Sequence, residues 1–349
     1  MKARSIKRAG VILVVLALVI FGIDVLWRRP MRNHVLSRAF NEMSLGTDVE
    51  RFADYDPRRE QREHQAKGDT GLGSFDGCVI EAVEISTPSA ILRGYLYLPP
   101  GINSSSLDEL VIFFSGSSAP NAAEVGAAAP VYNRMGAAVL GVDYRGWGRS
   151  NNRPGLTPVN SANITEAGAY EDAREIYRYA VETLSVPPNR VILHGFSLGG
   201  AMASRTAANI AREAARAGNA ASRLGGLVLQ SSIRDMTSAA AGTLPLPKPL
   251  AYAAGWIGGL LTGGDYNTAA HLQRLAKYDP GIPLHFIGGS SANGDQLSLE
   301  ITGLDRRVPA FTQATSYSGS EGHTNPGGSH AVNFGGGLTE LEQLVRVRF

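Results

Sequence analysis

Apolar positions follow three regimes along the chain. Ala9 to Trp27, AGVILVVLALVIFGIDVLW, is a 19-residue apolar run broken only by Asp24. At about 1.5 Å per helical residue it is as long as a hydrocarbon core is thick, which predicts a transmembrane helix and assigns residues 1–30 to an N-terminal membrane anchor. From Met31 to about Ser74 the pattern turns polar and charge-dense, as in DPRREQREHQAKGDTGLG. With little sustained periodicity, residues 31–74 read as a polar stalk with room for one short helix. In the third regime, residues 75–349, short apolar runs alternate with amphipathic stretches.

That alternation specifies a fold class. CVIEAVEIS and ILRGYLYLP alternate as strands do around the turn-like Thr87, Pro88 and Ser89, and predict an opening hairpin. LVIFF, AAVLGVDY, RVILHG, GLVLQS and PLHFIGG follow as apolar strands, interleaved with helical stretches such as ITEAGAYEDAREIYRYAVETL and AMASRTAANIAREAARAG. Strands separated by helices predict an α/β domain with a mostly parallel sheet and helices on both faces. An apolar, Gly- and Pro-rich stretch, residues 236–266, interrupts the alternation; it reads as a core helix with irregular flanks or as a small cap over a site. No repeat of solenoid length is present.

Composition changes this picture little. The 349 residues are 44% hydrophobic and 18% charged, an ordinary globular balance. Basic residues number 33 and acidic ones 31, several of the basic ones crowding into the first forty positions, so no nucleic-acid footprint is implied. Lys2, Arg4, Lys7 and Arg8 precede the apolar run while Trp27, Arg28, Arg29 and Arg32 follow it. Charge on both flanks fits a spanning segment, and with the N-terminal charges inside, the bulk of the chain would lie outside the cytoplasm. A cleaved signal peptide is the rival, disfavoured because the run is long for a signal core and no A-x-A-like site follows it. The single cysteine, Cys78, has no internal disulfide partner and no neighbours at metal-ligand spacing, so it reads as a small buried hydrophobe.

The chemistry concentrates at VILHGFSLGGAMASRTAANIA, Val191 to Ala211. With 41 glycines, a Gly-x-Ser-x-Gly arises by chance with an expectation of roughly 0.4, so its context decides. A β-branched strand enters Ser197 and an alanine-rich helix leaves it; Gly195 and Gly199 allow a sharp turn that presents the hydroxyl at a helix N-terminus. Ser197 is therefore the candidate nucleophile. Acyl transfer on a serine also requires N–H donors for the oxyanion. Leu198, the residue after the nucleophile, supplies one, and Ser117, in the small-residue loop after LVIFF, is the candidate for the other, with Ser118 next.

GVDYRGWGRSNNRPG, Gly141 to Gly155, followed at the usual distance by HGFSLGGA, resembles the Asp-Tyr-Arg-Gly-x-Gly-x-Ser segment and elbow of the α/β-hydrolase superfamily. Within it, the chain is similar to a branch of serine hydrolases that contains membrane-anchored esterases, thioesterases and lipases. The likeness covers about Cys78 to Phe349 and departs at the oxyanion loop, where Ser115 and Gly116 stand in place of His-Gly. It implies that Asp143, Arg145 and Arg149 brace a loop near the site. It also implies the chain order Ser, acid, His. Asp295, in NGDQLS beyond the strand PLHFIGG, resembles the family's acid segment, with Asp305 as the alternative; Asp279, before Pro280, reads as a turn residue. For the base, GGSHAVNF ahead of the closing stretch LTELEQLVRVRF points to His330, and the Gly-His segment after a last strand near Phe311 to Tyr317 leaves His323 as the alternative. His194, on the strand before the elbow, should turn its side chain into the packed sheet.

Together these readings describe a membrane-tethered α/β-hydrolase that cleaves an ester or thioester through an acyl-enzyme intermediate, with no metal or organic cofactor. Its expected partners are a small-molecule or lipid-like acyl substrate and the membrane. An amidase or acyltransferase on the same triad, and a catalytically inactive anchored binding module, are the alternatives; oligomeric state is not encoded in the pattern.

Overall fold

A computed structural model describes residues 56–66, 77–116, 121–156, 165–235, 237–239, 247, 249–253, 256, 266–288, 302–306 and 311–318. Its elements in chain order are α1 (Pro57–Ala66), β1 (Val79–Ser86), β2 (Ala90–Leu98), β3 (Leu110–Phe114), α2 (Asn121–Arg134), β4 (Ala138–Val142) and the two-residue β5 (Asn151–Asn152). There follow α3 (Glu166–Arg178), β6 (Val191–Phe196), α4 (Gly199–Ala217), β7 (Gly226–Gln230), α5 (Thr268–Tyr278), β8 (Leu284–Gly288) and β9 (Ala314–Ser318). Among the described residues the strands form one sheet in the order β1-β2-β4-β3-β6-β7-β8-β9, with β5 on the side of β2. β1 and β2 form the expected antiparallel hairpin and β2 meets β4 antiparallel. From β4 through β3, β6, β7 and β8 to β9 every pairing is parallel. The seven strands read from hydropathy all fall where expected.

Period-two alternation sorts the central strands onto two faces. Leu110, Ile112 and Phe114 of β3 join Val191 and Leu193 of β6 and Leu227 and Leu229 of β7 in one core, against α3, α4 and α5. Val111, Phe113, Ile192 and Val228 turn to the other face, where Val125, Ala128, Ala129 and Tyr132 of α2 cover them. Burial on both faces explains why these strands read as continuous apolar runs. α4 packs tightly because Ala201, Ala203, Ala207, Ala208 and Ala211 line its inner side. α3 starts from Thr165, whose hydroxyl accepts the Gly168 N–H, and after Arg178 widens into a π-helical turn over Tyr179–Thr183.

The expected stalk contains α1, and this helix meets the globule: Arg58 Nε donates to the Ile80 carbonyl of β1 at 2.9 Å. Cys78 is buried as expected, its thiol donating to Asn133 Oδ1 at 3.1 Å. The stretch expected as a core helix or a small cap follows β7. Its two roots are joined, the Ala269 N–H donating to the Arg234 carbonyl at 3.3 Å. The outgoing root is turned by Asp235, which accepts from the Ser238 N–H at 2.6 Å while the Ser238 hydroxyl returns to the Asp235 carbonyl at 2.9 Å. Most of residues 236–266 lie outside the described residues, as does the apolar run at 9–27. No helix among the described residues is long and apolar enough to cross a membrane.

Candidate active site

Ser197 stands at the carboxyl end of β6, between that strand and α4, with φ of 54°. A side chain with a Cβ enters this left-handed region only at a cost, so surrounding contacts must hold it there. The Ser197 N–H donates to the Gln230 carbonyl at 3.0 Å, and its own carbonyl accepts from the N–H groups of Gly200 and Ile233, each at 3.2 Å. The flanking glycines are dictated by close approach. A Cβ on Gly195 would lie 2.5 Å from the Gly199 carbonyl oxygen, and one on Gly199 would overlap the carbonyl oxygen of Phe114. That second contact seats the elbow against the end of β3, where the expected oxyanion loop begins. Leu198 caps α4 in helical conformation, and its N–H carries no hydrogen bond among the described residues. That N–H lies beside Ser197 at the helix end where partial positive charge gathers.

In the segment after β4, where the resemblance implied bracing by Asp143, Arg145 and Arg149, Tyr144 is the residue that reaches this corner. Tyr144 OH donates to the Ser115 carbonyl at 3.3 Å, and its ring stacks on Phe114 and meets Trp147 edge-on. Arg145 reaches into α3: its Nε and Nη2 contact Asp172 Oδ1 at 2.9 and 2.6 Å, and its backbone N–H donates to Asp172 Oδ2 at 2.8 Å. Nη2 also meets Glu171 at 3.0 Å. Arg149 Nη2 donates to Tyr95 OH at 2.6 Å.

Three histidines have described side chains, and each is engaged away from Ser197. His194 turns to the α2 face as expected, its Nδ1 2.8 Å from Tyr132 OH and its ring edge-on to Phe113. His285 Nδ1 lies 2.6 Å from Thr315 Oγ1, bridging β8 and β9. His271 Nε2 lies 2.8 Å from Tyr170 OH; burial, with the positive charges of Arg205 and Arg274, pushes its pKa down to about 3 and keeps the ring neutral. Asp279 caps α5 and pairs with Arg223 at 3.6 Å, in keeping with a turn role. Asp305 lies in a turn 3.9 Å from Arg306 Nε. Ser117, Ser118, Asp295, His323 and His330 fall outside the described residues. Among the described residues no cluster of His, Cys, Asp and Glu could hold a metal.

Two groups of residues went unread in the sequence. Asp172 lies within YEDAREIYR, where a charge reads as solvated; the available signal was its helical spacing from Ala169, Ala173 and Ile176, all buried. Gln230, Ser232 and Ile233, which contact the elbow from the end of β7, carry no local signal, since only the parallel pairing of β6 and β7 brings them there.

The sequence profile of the Alpha/beta hydrolase family matches residues 111–336. The multifunctional-autoprocessing repeats-in-toxin of Vibrio vulnificus is 28% identical over 247 residues, 70% of this chain. That of Vibrio cholerae is 29% identical over 204 residues, 58% of this chain. The chain spans 4% of the length of each. Among solved structures, an alpha-beta hydrolase from Vibrio vulnificus is similar with a TM-score of 0.58 and 20% identity, over 81% of this chain and 85% of that one. An esterase of Pyrococcus furiosus is similar with a TM-score of 0.54 and 16% identity, over 80% of this chain and 94% of that one.

Proposed function

The chain belongs to the alpha/beta hydrolase family, and from that premise we propose that it is a serine hydrolase cleaving a carboxylic ester or thioester through an acyl-enzyme intermediate. The observation that carries the reading is Ser197 at φ of 54° between β6 and α4, beside the N–H of Leu198. Ser197 Oγ attacks the substrate carbonyl carbon while a histidine removes its proton, and Asp295 orients that histidine. The tetrahedral oxyanion is stabilised by the N–H groups of Leu198 and Ser117. Its collapse expels the alcohol or thiol, which takes the proton from the histidine; water then repeats the sequence and releases the acid. Profiling against p-nitrophenyl esters of graded chain length tests the activity. Turnover of none of them would sink the ester reading.

Only one ring can come within about 3 Å of the hydroxyl and be held by the acid on its other nitrogen; GGSHAVNF ahead of the closing stretch favours His330 for the base, with His323 as the alternative. His330→Ala is expected to lower kcat by roughly 10³-fold or more, while a folded His323→Ala variant keeps activity within about tenfold of the parent. The reverse pattern transfers the role to His323.

We further propose that residues 9–27 anchor the protein in a membrane, with a lipid-like acyl group as substrate and the catalytic domain outside the cytoplasm. The length and flanks of the run support the anchor; the exposure of Leu250, Tyr252 and Trp256 in the insert supports the apolar substrate. Carbonate extraction should leave the full-length protein in the membrane pellet, whereas a chain starting at Asp56, which retains α1 on β1, should be released. Full-length protein in the supernatant would refute the anchor.

A further inference from the structure

The elbow is held from outside by the four residues that leave β7. After Gln230 the backbone turns sharply at Ser231, whose φ is 41° and whose N–H donates to the Ile287 carbonyl of β8 at 2.7 Å. This turn carries Ser232 and Ile233 under the first turn of α4. Three hydrogen bonds then join residues 230–233 to residues 195–197: Ser197 N–H to the Gln230 carbonyl, Ile233 N–H to the Ser197 carbonyl, and Ser232 Oγ to the Gly195 carbonyl at 3.1 Å. Ser232 is 2% exposed. A Cβ on Gly200 would overlap its side chain, so Ser232 fills the space that the second glycine of the Ser-Leu-Gly-Gly turn leaves open.

Building on the assignment of Ser197 as nucleophile, we propose that Ser232 is a positioning residue that fixes the nucleophile's strained backbone, and with it the aim of Oγ and of the Leu198 N–H. Two of the three bonds are made by backbone alone and would form with any side chain. The third depends on the Ser232 hydroxyl, which ties down the carbonyl two residues before the nucleophile. Without it, the strain at Ser197 is opposed by fewer contacts, and the elbow relaxes toward conformations in which Oγ and the oxyanion donor are misaligned. Ser232 is buried beneath the elbow and offers no surface to a substrate, so the loss appears in the chemical step and not in substrate binding.

The test compares full-length parent, Ser232→Ala, Ser232→Cys and Ser204→Ala. Ser204 is an equally buried serine on α4 whose hydroxyl bonds, among the described residues, within its own helix, to the Ala201 carbonyl. Each is assayed for p-nitrophenyl butyrate turnover and for the second-order rate of fluorophosphonate labelling. Ser232→Ala is expected to lower kcat and the labelling rate about tenfold with KM within twofold, the size expected when the worth of one buried hydrogen bond is withdrawn from the alignment that the transition state requires. Ser232→Cys, with a weaker donor, should fall between Ala and parent and keeps the comparison open should the alanine variant not fold. Ser204→Ala should label within twofold of the parent at a similar loss of thermal stability. Labelling of Ser232→Ala at the parental rate, or equal slowing in Ser204→Ala, overturns the proposal. Loss of all labelling in Ser197→Ala, measured alongside, separates failure of this role from failure of the nucleophile assignment.

Discussion

Ser197→Ala is expected to abolish fluorophosphonate labelling and to lower ester turnover by roughly four to six orders of magnitude while leaving the melting temperature within a few degrees of the parent. The two halves of this expectation have separate origins. On the proposed reading the catalytic loss follows from removal of the atom that would form the acyl bond; residual turnover would come from the oxyanion donors and substrate binding alone. The stability is preserved because the strain at this position belongs to the backbone and Cβ, which alanine retains, and because the backbone bonds to Gln230, Gly200 and Ile233 do not involve the hydroxyl. A folded Ser197→Ala protein that still labels places the nucleophile elsewhere. Loss of labelling together with loss of the folded state would leave the decision to Ser197→Cys, which retains a nucleophilic side chain and should still form an adduct with a thiol-directed acyl probe.

The largest effect on stability is expected at Asp172. Its side chain is fully buried, and the Arg145 guanidinium that it pairs with is 9% exposed. Asp172→Ala removes the partner and leaves Arg145 with the half-exposed Glu171, so a nearly buried cation loses most of its compensation. The cost expected for breaking such a pair is about 3–5 kcal/mol, or about 10 °C in melting temperature for a domain of this size. The variant should also label slowly, because Arg145 adjoins Tyr144, whose hydroxyl supports the Ser115 carbonyl at the end of β3. Removing both charges in Arg145→Leu/Asp172→Leu should recover part of the lost stability, since two apolar side chains need no partner, while the backbone N–H at position 145 still loses its acceptor on Asp172. A single Asp172→Ala variant as stable as the parent would show that the pair contributes little.

Much of the scaffold was legible because burial on both faces of the sheet writes each central strand as an uninterrupted apolar run, and LVIFF or GLVLQS has no other reading in a chain of alternating elements. The elbow was legible because a local sequence dictates it: a β-branched strand, small residues where backbones collide, and a helix. α2 was harder to read. Its stretch NAAEVGAAAPVYNR carries small residues and an internal proline, Pro130, with little amphipathic contrast, so its identity rests on Val125, Ala128 and Tyr132 finding the α2 face of the sheet. The supports of the site were least legible. The partnership of Arg145 with Asp172 spans 27 positions and that of Ser232 with Gly195 spans 37, and nothing local to either residue announces a partner that only the tertiary fold supplies. Asp143 and Arg145 were assigned a bracing role from the family likeness, whereas the residue braced against, Asp172, became visible only in three dimensions.

The bond between Arg234 and Ala269 gives the chain after β7 the character of an interchangeable attachment. Because both ends of the excursion meet at one fixed point, the length of the intervening polypeptide does not alter the pairing of β7 with β8, and each doubling of that length adds only about 0.6 kcal/mol of closure entropy. The elbow and the stretch between those two roots are thereby free to vary separately. Longer, shorter or differently charged segments between the two roots are thus expected to leave the strand that feeds Ser197 with its neighbours.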